Sequence, residues 1–184
     1  MSVKYNGTAI QKMKYNGKEV TKWVHNGKEV FASIFYFVKN GANSGNFKYT
    51  GPSTGVATIT SSSVLKLEVK MTPSGMADGF NFDTDLADFT NYKKFVFNHN
   101  TTVNGGNPSA VTLKILNESN SVVYTNTYIT NTNASSSRYS STTSSTAITV
   151  DISTYKGKFK VRLDCKIYGQ NEKDTIEISN CYIE

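Results

Sequence analysis

Five side chains with carboxylate or amide oxygens are crowded between residues 78 and 88, where the sequence is DGFNFDTDLAD. Carboxylate and amide oxygens are the ligands that Ca²⁺ prefers, usually about six to eight of them. The order is not that of an EF-hand loop, because the bidentate acid at the last loop position is missing. The stretch is therefore either a calcium site or an ordinary acidic loop, and no other cofactor is predicted. The candidate calcium ligands are Asp78, Asn81, Asp83, Asp85 and Asp88.

Polar loops with isolated aromatic residues indicate a second kind of site, one for sugars. Aromatic faces pack on sugar rings, while Asn, Asp and Arg side chains bind the hydroxyls. The range 98–109 contains NGGNP, and the range 130–146 is almost entirely Ser, Thr and Asn. The aromatic candidates have ordinary alternatives, since Phe80 fits a core and Tyr139 fits an exposed loop. The candidate ligand-binding residues are Phe80, Asn104, Asn107, Arg138 and Tyr139.

No arrangement typical of an enzyme is found. The sequence GPSTG at 51–55 matches G-x-S-x-G, but a nucleophile elbow must join a strand to a helix on a parallel sheet. Here further strand patterns follow, so we predict a turn. The two histidines, His25 and His99, have no partners at metal or nucleophile spacing. We expect His25 to flank a turn and His99 to begin a loop.

The two cysteines, Cys165 and Cys181, form neither a CxxC pair nor a metal-binding pattern. Both lie in apolar segments. Buried free thiols are favoured over a disulfide, because the chain has the features of a protein made in the cytosol.

The first thirty residues contain one ten-residue phrase three times, with Asn-Gly at 6–7, 16–17 and 26–27. Asn-Gly favours the two-residue type I′ hairpin turn, because Asn tolerates positive φ and Gly adopts it freely. The phrase predicts a four-strand up-and-down meander, which we assign to a domain over 1–34. So small a sheet is marginal alone. We therefore expect it to serve attachment or oligomerisation, with a homotrimer favoured.

The net charge is +6, and lysines alternate along the repeats. Such lysines solvate exposed faces and protect sheet edges. A basic sheet also attracts nucleic acid or an anionic wall polymer, but the protective role is favoured and no nucleic-acid partner is predicted. No apolar run approaches the roughly 20 residues of a membrane-spanning helix, so no membrane insertion is expected. Met1 is followed by a polar hairpin pattern rather than a signal peptide.

The remainder, 35–184, has the pattern of an antiparallel β-sandwich. In 65–70 and 158–167 apolar and charged residues alternate, which is typical of strands with one buried and one solvated face. No helical periodicity is found. The all-β class, and most specifically a jelly roll, follows from many short strands with turns between them. The predicted strands are Phe47–Tyr49, Val56–Thr60, Val64–Met71, Lys94–Asn98, Ala110–Leu116, Val122–Ile129, Ala147–Asp151, Lys158–Tyr168 and Thr175–Ile183.

A six-residue phrase occurs at 88–93 and again at 151–156: Asp, an apolar residue, Thr or Ser, any residue, Tyr, Lys. Asp and Ser/Thr side chains in such positions bond backbone donors in turns. We predict two matching turns whose apolar residue and Tyr close the end of the core.

These segments also resemble a known group of proteins. The ranges 85–97, 150–161 and 175–184 are similar to galactose-binding-like jelly rolls in tail and adhesin proteins of phages and prophages of Gram-positive hosts. The YNGKEV-type repeats resemble short β-repeats of such virion proteins. The resemblance implies a virion protein made in the host cytoplasm, often oligomeric, in contact with other virion proteins and often facing the host envelope.

The sequence thus predicts a non-enzymatic tail or fibre component. Its repeats would attach it to the particle, and its jelly roll would bind a cell-surface glycan. Two alternatives remain open: a capsid-decoration or head-fibre protein without a ligand, and a carbohydrate-binding module of a bacterial surface or secreted protein.

Overall fold

The computed structural model is all-β, and its main part is a sandwich of two antiparallel sheets. The structure describes residues 4–5, 8–9, 13–15, 18–20, 22–25, 28–32, 34–72, 76–105, 109–131, 139–143, 147–169 and 171–184. Within these ranges no helix could cross a membrane. The predicted fold class is confirmed. The strands are β1 Lys4–Tyr5, β2 Thr8–Ala9, β3 Met13–Tyr15, β4 Lys18–Val20, β5 Lys22–His25, β6 Lys28–Ala32, β7 Phe35–Lys39, β8 Lys48–Tyr49, β9 Gly55–Ser61, β10 Leu65–Met71, β11 Met76–Asp83, β12 Ala87–Asp88, β13 Lys94–Gly105, β14 Ser109–Asn117, β15 Val122–Asn131, β16 Tyr139–Thr143, β17 Ala147–Asp151, β18 Lys158–Tyr168 and β19 Lys173–Ile183.

The strand pairing is that of a jelly roll. β10 pairs with β19, β11 with β18, β13 with β16 and β17, and β14 with β15. These pairs are nested around the turn between β14 and β15, so the chain resembles one long hairpin rolled into two layers. The first sheet has the order β16-β13-β19-β10-β9, with β17 also on β13 and β7 on β19. The second has the order β15-β14-β18-β11-β8, with β12 on β18.

The core lies between the sheets because each long strand buries alternate residues. In β18 every second residue from Phe159 to Ile167 is buried, and the residues between them are only partly covered. β10 shows the same period, and β19 shows it with one interruption at Ser179 and Asn180, where its pairing with β13 shifts register. Cys165 in the second sheet and Cys181 in the first are buried free thiols, as predicted.

The two copies of the six-residue phrase form matching turns, as predicted. The Asp88 carboxylate accepts a hydrogen bond from the Thr90 N–H at 2.9 Å, and Asp151 accepts one from Ser153 at 2.9 Å. In each copy the apolar residue, Phe89 or Ile152, is fully buried. The two turns also meet, because the Gly157 N–H donates to Thr90 Oγ1 at 3.0 Å. Together they close one end of the core.

The N-terminal repeats form hairpins in the predicted register but not one continuous sheet. Tyr5 pairs with Thr8, Tyr15 with Lys18 and His25 with Lys28, so two residues separate the strands each time. The described residues form three separate two-stranded ladders instead of a four-strand meander. Local pairing across a short turn closes a small loop, which has the lowest entropic cost. The Asn-Gly residues themselves lie outside the described ranges.

Two predicted loops are strands in the structure. Met76–Asp83 is β11, so most of the acidic stretch lies in the middle of the second sheet. β13 continues to Gly105, because β19 and β16 pair with its second half. His99 therefore does not begin a loop. It is buried in β13, its Nδ1 lies 3.0 Å from Thr101 Oγ1, and burial lowers its pKa to about 4.

Candidate ligand-binding site

Polar side chains form a row across the outer face of the second sheet. The alternation that buries Leu163 and Cys165 turns Arg162, Asp164 and Lys166 of β18 outward. Asp164 lies opposite Asn81 of β11 on one side and opposite Thr112 of β14 on the other.

The row ends on the edge strand β15, where Thr127 is the partner of Thr112. Lateral strand pairing therefore collects an amide, a carboxylate and two hydroxyls from four strands, although they are far apart in the sequence.

A bulge and two small residues make a depression in this face. Residues 78 and 79 of β11 lie opposite the single residue Lys166 of β18, so β11 has one extra residue there. Gly79 has a φ of +77°, and a Cβ added to it would meet no atom within 4 Å. On the other side of Lys166 its partner is Ala110. The depression has a volume of about 350 Å³, at the lower end of the range for small-ligand sites. Its lining residues are Gly79, Ala110, Thr112, Thr127, Asp164 and Lys166.

The lining offers hydrogen-bond donors and acceptors in several directions. Thr112 Oγ1 and Thr127 Oγ1 are 2.8 Å apart and hydrogen-bond each other. Asp164 Oδ2 forms an ion pair with Lys114. Tyr168 lies two residues beyond Lys166 on the same side of β18, about 7 Å along the strand, and 43% of its surface is exposed. An exposed aromatic ring therefore stands next to a set of hydroxyl, carboxylate and ammonium groups.

A rigid ion-pair network borders the depression. Asp83 accepts hydrogen bonds from Arg162 Nε and Nη2, both at 2.7 Å, and from Lys160 Nζ at 3.0 Å. Burial opposes ionisation of Asp83, but these bonds outweigh it, so the pKa of Asp83 is lowered. A general acid instead needs a raised pKa, so that its carboxyl stays protonated near neutral pH. Asp83 is suited to holding Arg162 and Lys160 in place, not to proton transfer.

No protein-family model and no curated protein sequence matches the chain. Its fold has similarities among solved structures. A variant of a family 29 carbohydrate-binding module is 16% identical, with a TM-score of 0.43 over 82% of this chain and 90% of the other. The enzymatically active domain of tailspike protein 4 of bacteriophage CBA120 is 11% identical, with a TM-score of 0.45 over 81% of this chain and 21% of the other. At these values neither similarity indicates a shared function.

The candidate calcium ligands do not gather at one point. Among the side chains that the structure describes, no group of three or more His, Cys, Asp or Glu could hold a metal ion. Asp83 bonds two cations, as above. The exposed Asp85 forms an ion pair with Lys48 at 2.9 Å, and Asp88 accepts the Thr90 N–H. Asn81 lies beside Asp164 in the outer row, and the side chain of Asp78 lies outside what the structure describes. The carboxylates with known surroundings are thus already engaged by protein groups.

The two candidate sugar-binding residues whose side chains the structure describes, Phe80 and Asn104, do not line the depression. Phe80 is fully buried between the sheets. It therefore belongs to the core, and its assignment to a ligand site was wrong. Asn104 lies in β13 opposite Ser140 of β16, in the first sheet. Tyr139 has its backbone in β16, but its side chain lies outside the described part, as do Asn107 and Arg138 entirely.

The residues that line the depression were not singled out from the sequence. The alternation in 158–167 does place Asp164 and Lys166 on the solvated face. The alternation does not show the strand pairing that puts Thr112 and Thr127 beside them. It also does not show the bulge that leaves space at Gly79. Gly79, which interrupts an alternation of apolar and polar residues, is the one sequence feature that indicates a bulge at this position.

Proposed function

We propose that the protein is a non-enzymatic binding protein whose jelly roll binds a host-surface carbohydrate in the depression of the second sheet. The observation on which this rests is the combination of a 350 Å³ space with two paired threonine hydroxyls, a carboxylate, an ammonium group and a neighbouring exposed tyrosine. Sugars present many hydroxyls and one apolar ring face, and sites for them need both kinds of contact.

Three lining residues and the neighbouring Tyr168 have defined roles in this proposal. Thr112 and Thr127 exchange their mutual hydrogen bond for bonds to sugar hydroxyls, since a hydroxyl both donates and accepts. Asp164 Oδ2 is engaged by Lys114, but Oδ1 accepts no bond from any described residue and is available to a hydroxyl. Tyr168 packs against the apolar face of the ring. No bond in the ligand is broken.

In this proposal the protein is a tail or fibre component of the virion of a phage or prophage of a Gram-positive host. Its support is the resemblance of the repeats and of the jelly-roll segments. The N-terminal hairpins attach the chain to other virion proteins or join copies of it, with a trimer favoured, and the jelly roll faces the host envelope. Calcium is not part of the proposed binding chemistry. A calcium site stays a prediction, because the side chain of its candidate ligand Asp78 lies outside the described part of the structure.

Glycan-array binding of the full-length protein tests the carbohydrate proposal, with light scattering on the same sample to give the number of copies. The double variant Thr112→Val and Thr127→Val removes two hydroxyls with little change of shape. Two lost hydrogen bonds correspond to at least about a tenfold loss of affinity. The matched control, Thr58→Val and Thr60→Val, removes two exposed hydroxyls from β9 of the other sheet and should leave binding unchanged.

Equal binding by both double variants would refute the site. An array without any bound glycan, together with no binding to Gram-positive cells, would refute the carbohydrate proposal and favour a structural virion protein without a ligand.

A further inference from the structure

Among the described side chains, Lys166 is the charged lining residue that has no partner of opposite charge. Its Nζ makes no ion pair or hydrogen bond with any side chain that the structure describes. The cations nearest to it on this face are engaged: Lys114 with Asp164, and Lys160 and Arg162 with Asp83. The ammonium group of Lys166 is thus available to a ligand.

The face as a whole has more positive than negative charge. β14 and β18 place five cations on it, and the described side chains of β11 and β18 place two carboxylates there, each already in an ion pair. A neutral ligand seated over Lys166 would displace water from an ammonium ion without compensating its charge, which is costly. A ligand with an anionic group would instead form a charge-assisted hydrogen bond, roughly twice as strong as a neutral one. The five cations are Lys114, Lys158, Lys160, Arg162 and Lys166, and the two carboxylates are Asp83 and Asp164.

We infer that the depression binds an acidic saccharide, with its carboxylate or phosphate on Lys166 and its hydroxyls on Thr112, Thr127 and Asp164. The inference rests on the proposed function and specifies its ligand class. The bulge of β11 supports it, because it faces Lys166 and its Gly79 leaves open space where a side chain would stand. Room for an anionic group is therefore present directly beside the ammonium ion.

Calorimetric titration with matched ligands tests the inference on the full-length protein. Oligogalacturonate and its methyl ester differ by one charge and one methyl group per sugar residue, and a phosphorylated dextran provides the phosphate source. We expect at least one of the two acidic polymers to bind at least about tenfold more tightly than the uncharged ester, with an affinity that falls as salt is added. The stronger acidic ligand identifies carboxylate or phosphate as the group recognised.

Lys166→Gln should remove this preference, so that the acidic ligands bind no more tightly than the ester does. Lys158→Gln is the matched control. It removes the same charge from the same face of β18, about 27 Å away along the strand, and should retain the preference. Asp78→Asn in the bulge should keep or strengthen acidic binding, because it removes a negative charge.

Three results would overturn the inference. One is equal affinity for acidic and esterified ligands, a second is an unchanged preference in Lys166→Gln, and a third is loss of acidic binding in Asp78→Asn. In each of these cases saccharide binding itself would survive, and only the ligand class would be wrong. If neither these ligands nor any glycan of the array binds, the proposed function fails together with the inference.

Discussion

Asp174 should make the protein less stable as the pH rises. It lies in β19 between Val69 and Val103, only 1% of its surface is exposed, and neither carboxylate oxygen has a hydrogen-bond partner. Burial raises the pKa of Asp174 well above its ordinary value of 3.8. The backbone amide of Asn104 favours the charged form, but it lies outside hydrogen-bond geometry and offsets only part of this effect.

The sign and size of the effect follow from the protons bound in each state. Above about pH 4 the unfolded chain has lost the proton of Asp174, while the native protein keeps it. Stability contributed by this carboxyl is therefore complete below the unfolded pKa and is lost as the pH rises towards the native pKa. One proton corresponds to a slope of about 1.4 kcal/mol per pH unit within that window.

Urea unfolding of the wild type and Asp174→Asn from pH 4 upward measures this slope. The buried amide adds an offset of about 1–3 kcal/mol if it stays unpaired, but that offset does not depend on pH. We expect the variant to lack the decline that the wild type shows. Glu118→Gln, in the exposed turn after β14, is the control for loss of one carboxyl and should follow the wild type. Parallel pH profiles for wild type and Asp174→Asn would refute the reasoning.

Three further predictions concern the core and the ion-pair network. Phe80→Ala should lower the free energy of unfolding by about 3–5 kcal/mol, as expected for a buried ring; a chemical-denaturation loss below 1 kcal/mol would contradict its place in the core. Asp83→Asn should cost about 2 kcal/mol in the same assay, because Arg162 loses its carboxylate, and an unchanged midpoint would show that the network adds no stability. Burial raises the pKa of the Cys165 and Cys181 thiols, so both should react with a thiol reagent only after unfolding, and rapid labelling of the native protein would contradict their burial.

Regular alternation is the part of this fold that the sequence predicts well. β18 was predicted with the bounds that it has, because Phe159 to Ile167 alternates without interruption with charged residues. The two Asp-containing turns were also predicted, since their hydrogen bonds join residues only two positions apart. Both features depend on residues that are close together in the sequence, and they can therefore be predicted from it.

β11 was missed for an equally local reason. Phe80 and Phe82 alternate with Asn81 and Asp83, but the extra residue at the Gly79 bulge breaks the period, and the density of acids favoured a loop. His99 was placed at the start of a loop because the range 98–109 contains the turn-forming run NGGNP, whereas Thr101 bonds one of its ring nitrogens inside the sandwich. In both cases contacts within the sandwich outweighed the general tendency of acidic and turn-forming segments to be loops.

The candidate site could not be predicted from the sequence, because it consists of lateral neighbours. Thr112, Thr127 and Lys166 meet only through the pairing of β14 with β15 and β18. Sequence patterns state which side chains face outward, but not which strands lie side by side. The loop residues chosen instead, such as Asn104, belong to a different sheet.

The place where a saccharide binds can be observed directly by two-dimensional amide NMR of the labelled protein, titrated with the strongest binder of the glycan array. If the depression is the site, the largest shifts will fall on Thr112, Thr127, Asp164, Lys166 and Tyr168. Shifts confined to Asn104 and residues 139–143 of the first sheet, with the second sheet unchanged, would contradict the central proposal and return the site to the loops.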